Sequence, residues 1–247
     1  MKHLCFLLFL WSATLNAMPV IKLSQEFLAA IRYDQDVDCY LRELSELSQE
    51  DLTKQLNADP KKKVFWINVY NATVQYALKT DSAQYKKRMA FYGKKRIVIA
   101  GKLLSLNAIE HGILRKSQWI YGQGNVRKWF PGKFEKQNRV EALDVRVHFA
   151  LNCGAKSCPP ILFYEVAHYE TQIEEATKGF LVQTSSVKDE VLELSKLFYY
   201  YSGDFGSKKE KIAFVKKYTN LPGLEAIKKI KYASYDWTMQ LDMYKTD

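Results

Sequence analysis

The chain is 247 residues long, 47% hydrophobic and 14% aromatic, with 37 Lys and Arg against 27 Asp and Glu and a formal net charge of +10. This apolar content supports a substantial core and excludes a wholly disordered chain; the length fits one ordinary or large domain, or two small ones. Basic clusters at 61–63, 86–88, 94–96, 208–209, 216–217 and 228–229 are scattered along the chain. A Lys-rich solvated exterior is their expected role, with weak association to an anionic membrane surface as the alternative. No standard nucleic-acid motif is present, so nucleic acid is not an expected partner.

Residues 1–17, MKHLCFLLFLWSATLNA, run from a basic start (Lys2, His3) through an apolar stretch to small and polar residues ending at Ala17. That is the layout of a secretory signal peptide, and the apolar stretch is too short to span a bilayer. The remainder is expected to be soluble and exported, periplasmic or extracellular. Residues 18–59 read as an N-terminal helical section and 60–242 as a core domain.

Residues 20–33 place apolar side chains at helical spacing, and a second helix is expected over 38–47. Ser48, with Asp51 three residues on, opens a third helix in the manner of a capping box. Asp59 and Pro60 then begin a long helix, Asp59 as cap and Pro60 at the first helical position. This helix is apolar nearly all round and should be buried. Yet Asn68, Asn71 and Gln75 fall at spacings of three and four and share one face, so they either form a polar network or line a site. Residues 96–106 read as a hairpin around Gly101 and Lys102. Ser105 caps the helix that follows, and 119–134 is a loop. Residues 145–152, VRVHFALN, alternate and are rich in strand formers, which predicts a strand. A helix at 169–184, a strand near 187–193, a short helix through SKLFYYY, an amphipathic helix over 207–219 and a last strand in IKYASYDW complete the chain. Helices and strands mix without regular alternation. The expected class is α+β, a single mixed domain with a small, mostly antiparallel sheet surrounded by helices.

Beyond the leader, three cysteines remain, Cys39, Cys153 and Cys158. Cys153 and Cys158 enclose a four-residue loop short enough for a disulfide, which an oxidising compartment favours. The rival reading is a nucleophilic Cys153 in a thiol hydrolase or acyltransferase. His111 or His148 would serve as base and Asn68 or Asn71 would polarise the substrate. Strand alternation would put His148 and Cys153 on opposite faces, which favours His111. Trp66, Gln75, Glu110, Asn152 and Lys156 are the accompanying candidates for binding. Zinc on Cys153, Cys158, His111 and His148 is a weaker reading, because the spacing lacks the usual paired motif; otherwise no cofactor or metal is expected. A redox dithiol is weaker too, the spacing not being C-x-x-C. In the non-enzymatic alternative the disulfide staples an envelope binding module, whose partner is a small molecule, peptide or envelope polymer. Aromatic residues such as 199–201 would then line a groove. The stretch YDWTMQLD, with Asp236, reads as a closing strand.

Five stretches, FWINVYNA, LSLNAIEHGILR, VRVHFALNCGAKSCPP, LSKLFYYYSGDFG and YDWTMQLD, together resemble the domain of unknown function 547 family, here of a secreted bacterial type. The resemblance implies a globular domain and little mechanism. Plant members keep a cysteine at the place of Cys153 and read serine around that of Cys158, which implies a Cys153 independent of a disulfide partner. Their less constant histidines at the places of His111 and His148 argue against a shared catalytic dyad.

Overall fold

The computed structural model describes residues 18–245, so the leader expected over 1–17 lies outside the described residues. The chain opens with four helices: α1 (Val20–Arg32), α2 (Asp38–Glu46), α3 (Gln49–Gln55) and α4 (Asp59–Thr80). Ser48 caps α3 as its sequence predicts, its hydroxyl oxygen accepting the Asp51 N–H. Asp59 does not cap α4. It lies inside the first turn, and its carboxylate accepts the backbone N–H groups of Glu141 and Ala142. A 3₁₀ turn (Ser82–Lys87), α5 (Arg88–Gly93) and the antiparallel hairpin of β1 (Lys95–Ile99) and β2 (Lys102–Ser105) follow.

The remainder is α+β, as expected. It contains a π-helix (Ala108–Leu114), α6 (Lys133–Asn138), a 3₁₀ turn (Val145–Phe149) and α7 (Tyr169–Thr184). After them come β3 (Ser186–Lys188), β4 (Val191–Leu194), α8 (Leu197–Tyr200), α9 (Ser202–Phe205), α10 (Lys208–Tyr218) and β5 (Lys229–Tyr232). The second sheet has the order β3-β4-β5, with β3 antiparallel and β5 parallel to β4. The single strand expected near 187–193 is thus two strands, because Asp189 and Glu190 adopt positive φ and turn the chain. The expected closing strand stops at Tyr232. Beyond it, residues 235–244 run irregularly beside 154–161, joined by bridges between Ala155 and Met239 and between Ile161 and Tyr244.

The strand expected over 145–152 is a 3₁₀ turn instead. Asp144 explains the difference. Its carboxylate accepts the Arg146 N–H and two guanidinium bonds from the same residue, a local arrangement that competes with a sheet ladder. Val147, His148, Phe149 and Ala150 are all buried, so the apolar alternation does not mark one exposed face and one buried face.

Helix α4 forms the centre of the larger core. Residues 62–75 along it are buried without a break, and α1 packs along it through Leu23, Phe27 and Leu28. The apolar residues of 18–59 share this core. A second core gathers Phe149, Phe180, Leu192, Leu194, Phe198, Phe205 and Val215.

The amide stripe on α4 is a set of clamps. Asn68 donates to the Tyr164 carbonyl (3.0 Å) and accepts the Tyr164 N–H (3.1 Å). Asn71 does the same between the Ala150 carbonyl (2.9 Å) and the Asn152 N–H (2.9 Å). The Gln75 oxygen accepts the Asp242 N–H. All three are fully buried. Irregular segments carry backbone groups that no ladder satisfies, and these amides satisfy them. Asn71-Ala72-Thr73 also matches a glycosylation sequon, and full burial within the helix removes Asn71 as an acceptor.

Replacing Asn71 by Ala strands a buried carbonyl and a buried N–H together. The expected loss is about 2–4 kcal/mol of unfolding free energy, read by urea denaturation.

Candidate functional site

The two cores meet around the π-helix, and a cleft of about 760 Å³ opens there. Ser105 accepts the Ala108 N–H, as its capping role predicts, but the following turns are wide. The Arg115 N–H reaches the Glu110 carbonyl and the Ser117 N–H the Gly112 carbonyl, both five residues back. Such π geometry is rare and recurs at functional sites. Here it leaves Glu110, His111 and Arg115 in one buried network.

Arg115 is the centre of that network. Its Nε donates to Asp204 Oδ2 at 2.7 Å and its Nη1 to His111 Nδ1 at 2.6 Å. His148 Nε2 donates to the same Asp204 oxygen at 2.8 Å. The Tyr201 ring lies 3.8 Å from the His148 ring, stacked, and 4.7 Å from the Arg115 guanidinium carbon. Glu110 accepts the hydroxyls of Tyr70 (3.1 Å) and Tyr201 (2.6 Å), one on each oxygen. Gly124 packs closely against Asp204. A Cβ at Gly124, which has φ +89°, would lie 2.2 Å from Asp204 Oδ1.

These contacts set the protonation states. Burial lowers the pKa of His111 to about 4; Glu110 beside it pulls the other way, and Arg115 reinforces the fall. Because Nδ1 accepts from Arg115, the ring is neutral with its proton on Nε2. Burial also lowers His148, against the pull of Asp204. Burial alone would raise Glu110, but His111, the Tyr201 hydroxyl and Arg115 together hold it below the ordinary carboxylate value. Asp204 is held low in the same way, burial being outweighed by the bonds from His148 and Arg115. Tyr70 and Tyr201 are pushed well up by burial and by Glu110, so both remain phenols and donors.

The cleft stands over this floor, which it reaches at Glu110, His111 and Tyr201. Its walls are aromatic: Trp237 lies 4.6 Å from Tyr235 and 6.2 Å from Tyr200, centroid to centroid. Lys86, Lys87 and Arg88 line the mouth and are exposed, and none of the three makes an ion pair among the described residues. The Arg88 guanidinium carbon sits 4.9 Å from the Trp237 ring.

Cys153 also lines the cleft, and it is bonded to Cys158 in a disulfide. The pair is asymmetric: Cys158 is buried and Cys153 half-buried. Cys158 Sγ accepts the Cys153 N–H at 3.0 Å, and the Tyr235 hydroxyl lies 3.4 Å from Cys153 Sγ and 3.3 Å from Cys158 Sγ. Tyr92 donates to the Cys153 carbonyl at 2.7 Å. Cys39 is free and exposed.

Several expected roles change on this geometry. The bonded sulfurs hold no free thiolate, whether as nucleophile or as zinc ligand. Among the described residues, no group of three or more His, Cys, Asp and Glu side chains is placed to hold a metal ion. The Nδ1 lone pair of His111 is taken by Arg115, so it is not offered to Cys153. Asn68 and Asn71 spend both ends of their amides on backbone and cannot polarise a substrate. Trp66 is wholly buried against Phe65 and Phe134, and Gln75 and Asn152 are buried as well, so none of the three faces a ligand. Asn152 donates to the Pro159 carbonyl and accepts the Gly154 N–H, holding the disulfide loop from beneath. Lys156 is exposed on that loop, 3.8 Å from Asp236, and does not line the cleft. Glu110 does reach it. His148 and Cys153, expected on opposite faces, line one small cavity of about 30 Å³ behind the cleft, because the segment is not a strand. Arg115 and Asp204 were not among the sequence candidates. The spacing of four between His111 and Arg115 was a usable signal; Asp204 had only its place between Gly203 and Phe205.

The family model described as "Protein of unknown function, DUF547" matches residues 53–181, just over half of the chain, and the chain belongs to that family. No curated protein matches the chain, and no solved structure does. The matched residues include Glu110, His111, Arg115, His148 and Cys153. Tyr201, Asp204, Tyr235 and Trp237 lie beyond them and complete the site.

The lowered His111 pKa fixes the sign of a pH effect. Folding favours the neutral ring, so its contribution is complete above pH 6.5 and is lost as pH falls towards 4. Glu110, also lowered, adds a loss in the same direction at the acid end. Urea denaturation across this window is expected to show a fall on the order of 3 kcal/mol from His111. His111→Gln, whose amide oxygen can still accept from Arg115, is expected to flatten that part of the profile.

Proposed function

We propose that this DUF547 protein is an exported, non-enzymatic binding protein whose cleft takes a small anionic molecule carrying a ring. The observation that carries this reading is the pairing of aromatic walls with an unpaired basic mouth. Trp237, Tyr235 and Tyr200 offer ring faces for stacking, and Lys86, Lys87 and Arg88 have no anionic partner among the described residues. The cleft volume of about 760 Å³ suits a ligand of one or two rings. Phenol hydroxyls and the Glu110 carboxylate at the floor give hydrogen-bonding groups that fix orientation. The Cys153–Cys158 disulfide staples the wall that carries Cys153 and accords with an oxidising compartment.

Glucuronate against glucose, and benzoate against benzyl alcohol, separate ring from charge in a titration of tryptophan fluorescence. The charged member of each pair is expected to bind more tightly, with an advantage that shrinks in salt. Trp237→Ala is expected to weaken glucuronate binding by about tenfold or more. Equal binding of charged and neutral members removes the role of the basic mouth; no binding by any of the four sinks the reading.

A second reading rests on the His148–Asp204 pair beside Cys153. On reduction, Cys153 would be a nucleophile in the cleft, with His148 as base and Asp204 orienting it, a Cys-His-Asp arrangement for acyl transfer. Iodoacetamide distinguishes the two. In native protein it is expected to label Cys39 and neither Cys153 nor Cys158. After reduction, the thiol reading requires Cys153 to react faster than Cys39 and to slow in His148→Gln. Equal or slower reaction of Cys153 leaves the disulfide as a staple alone.

A further inference from the structure

The segment after the π-helix carries the most exposed large apolar side chains among the described residues. Trp129 is 85% and Phe130 92% exposed, with Trp119, Tyr121 and Val126 exposed nearby. Burying such rings is favourable, so two adjacent rings left uncovered by the described residues mark a surface that something else covers.

The ribbon that leads into Trp129 and Phe130 is fixed by backbone bonds. Gln118 and Arg127 form an antiparallel bridge, the Trp119 N–H donates to the Val126 carbonyl at 2.8 Å, and the Lys128 N–H donates to the Ser117 carbonyl at 2.8 Å. The tip is tied down in turn, Gly203 donating to the Gln123 carbonyl at 2.7 Å. Pro131 restricts Phe130 to non-helical backbone. Docking the segment therefore costs little ordering.

Charge decides what covers it. Residues 116–136 hold five basic side chains, Lys116, Arg127, Lys128, Lys133 and Lys136, against one acid, Glu135. Glu135 is taken by Lys128 at 2.9 Å. Arg127, Lys133 and Lys136 are exposed and make no ion pair among the described residues. Aromatic rings at headgroup depth with cations on the phosphates are the pattern of an interfacial membrane anchor. No helix among the described residues is long and apolar enough to cross a membrane, so any membrane contact by them through helices is made at the surface.

We propose that this ribbon docks the protein on an anionic phospholipid bilayer, with Trp129 and Phe130 entering the interface and Arg127, Lys133 and Lys136 against lipid phosphates. Ile120, Tyr121 and Gln123 of the same ribbon line the cleft, so docking brings the cleft wall to the membrane surface. The proposal stands apart from the ligand reading, since it uses no residue of the basic mouth.

The test uses protein beginning at Met18, so that the apolar leader contributes nothing, with vesicles of phosphatidylcholine containing roughly one-third phosphatidylglycerol. The protein is expected to co-sediment with these vesicles and to shift its tryptophan emission to shorter wavelength. Binding to pure phosphatidylcholine is expected to be weaker by at least about tenfold, and binding to the anionic vesicles to fall with salt. The double variant Trp129→Ala, Phe130→Ala is expected to lose at least about tenfold in vesicle affinity. Its thermal midpoint should stay unchanged, because neither ring is buried. Arg127→Glu with Lys133→Glu is expected to lower affinity for anionic vesicles alone. Vesicle binding unaffected by the double ring variant, or no binding by the parent protein, overturns the proposal. So does a dimer in sedimentation equilibrium that the ring variant abolishes, which would assign the surface to a contact between copies of this chain.

Discussion

The buried ion pair between Arg115 and Asp204 organises the centre of the molecule. Both side chains are almost wholly removed from water, at 1% and 0% exposure. A buried charge left alone is costly, about 3–5 kcal/mol when a partner is removed, so each element that carries one is tied to the other. Arg115 comes from the end of the π-helix and Asp204 from α9, elements that belong to different apolar clusters. The pair therefore docks one core on the other. His111 bonds to Arg115 and His148 to Asp204, and the Tyr201 ring stacks on His148 and lies 4.7 Å from the guanidinium carbon. The pair does not have to exceed a hydrophobic alternative in stability. It links the two cores in the observed register, where each buried charge meets the other.

The polar groups on α4 do a related task at shorter range. Their partners, Tyr164, the segment from Ala150 to Asn152, and Asp242, lie on irregular chain that cannot satisfy itself. An apolar helix with three amides on one face thereby holds three loops against its length. One of those loops ends in Cys153, and the disulfide to Cys158 closes it. The cleft wall is rigid for two reasons that act in series, the amide clamp beneath the loop and the covalent closure at its end. Tyr235, from the C-terminal segment, covers both sulfurs and is also part of the aromatic wall, so the disulfide and the cleft are built from the same contact.

How far the site was legible in the sequence depended on how local each feature was. The cap at Ser48, the hairpin at Gly101 and the helix over 207–219 rest on contacts a few residues apart, and they fold as their patterns indicate. The cysteine pair was legible as a possible bond because only four residues intervene. Residues 145–152 misled because alternation implies a strand only when one face meets solvent. With 147–152 buried and Asp144 bonding its own neighbours, Val145–Phe149 turn as a 3₁₀ helix. Trp66 and the amides of α4 were recognisable as unusual, but burial turned them from ligand candidates into supports. Arg115 and Asp204 were missed because a charge looks solvated until its partner, 89 residues away, is known.

The amino-acid sequence by itself determined the family, the mixed class, most helix starts and the chance of a short disulfide loop, since these follow from neighbours in the chain. Only the tertiary structure decided which cysteine faces the cleft, which histidine nitrogen is occupied, and that cations without a partner among the described residues stand beside exposed aromatic rings. Those facts depend on burial and on partners far apart in sequence, and burial is what sets the cost of leaving a charge or a polar atom without one.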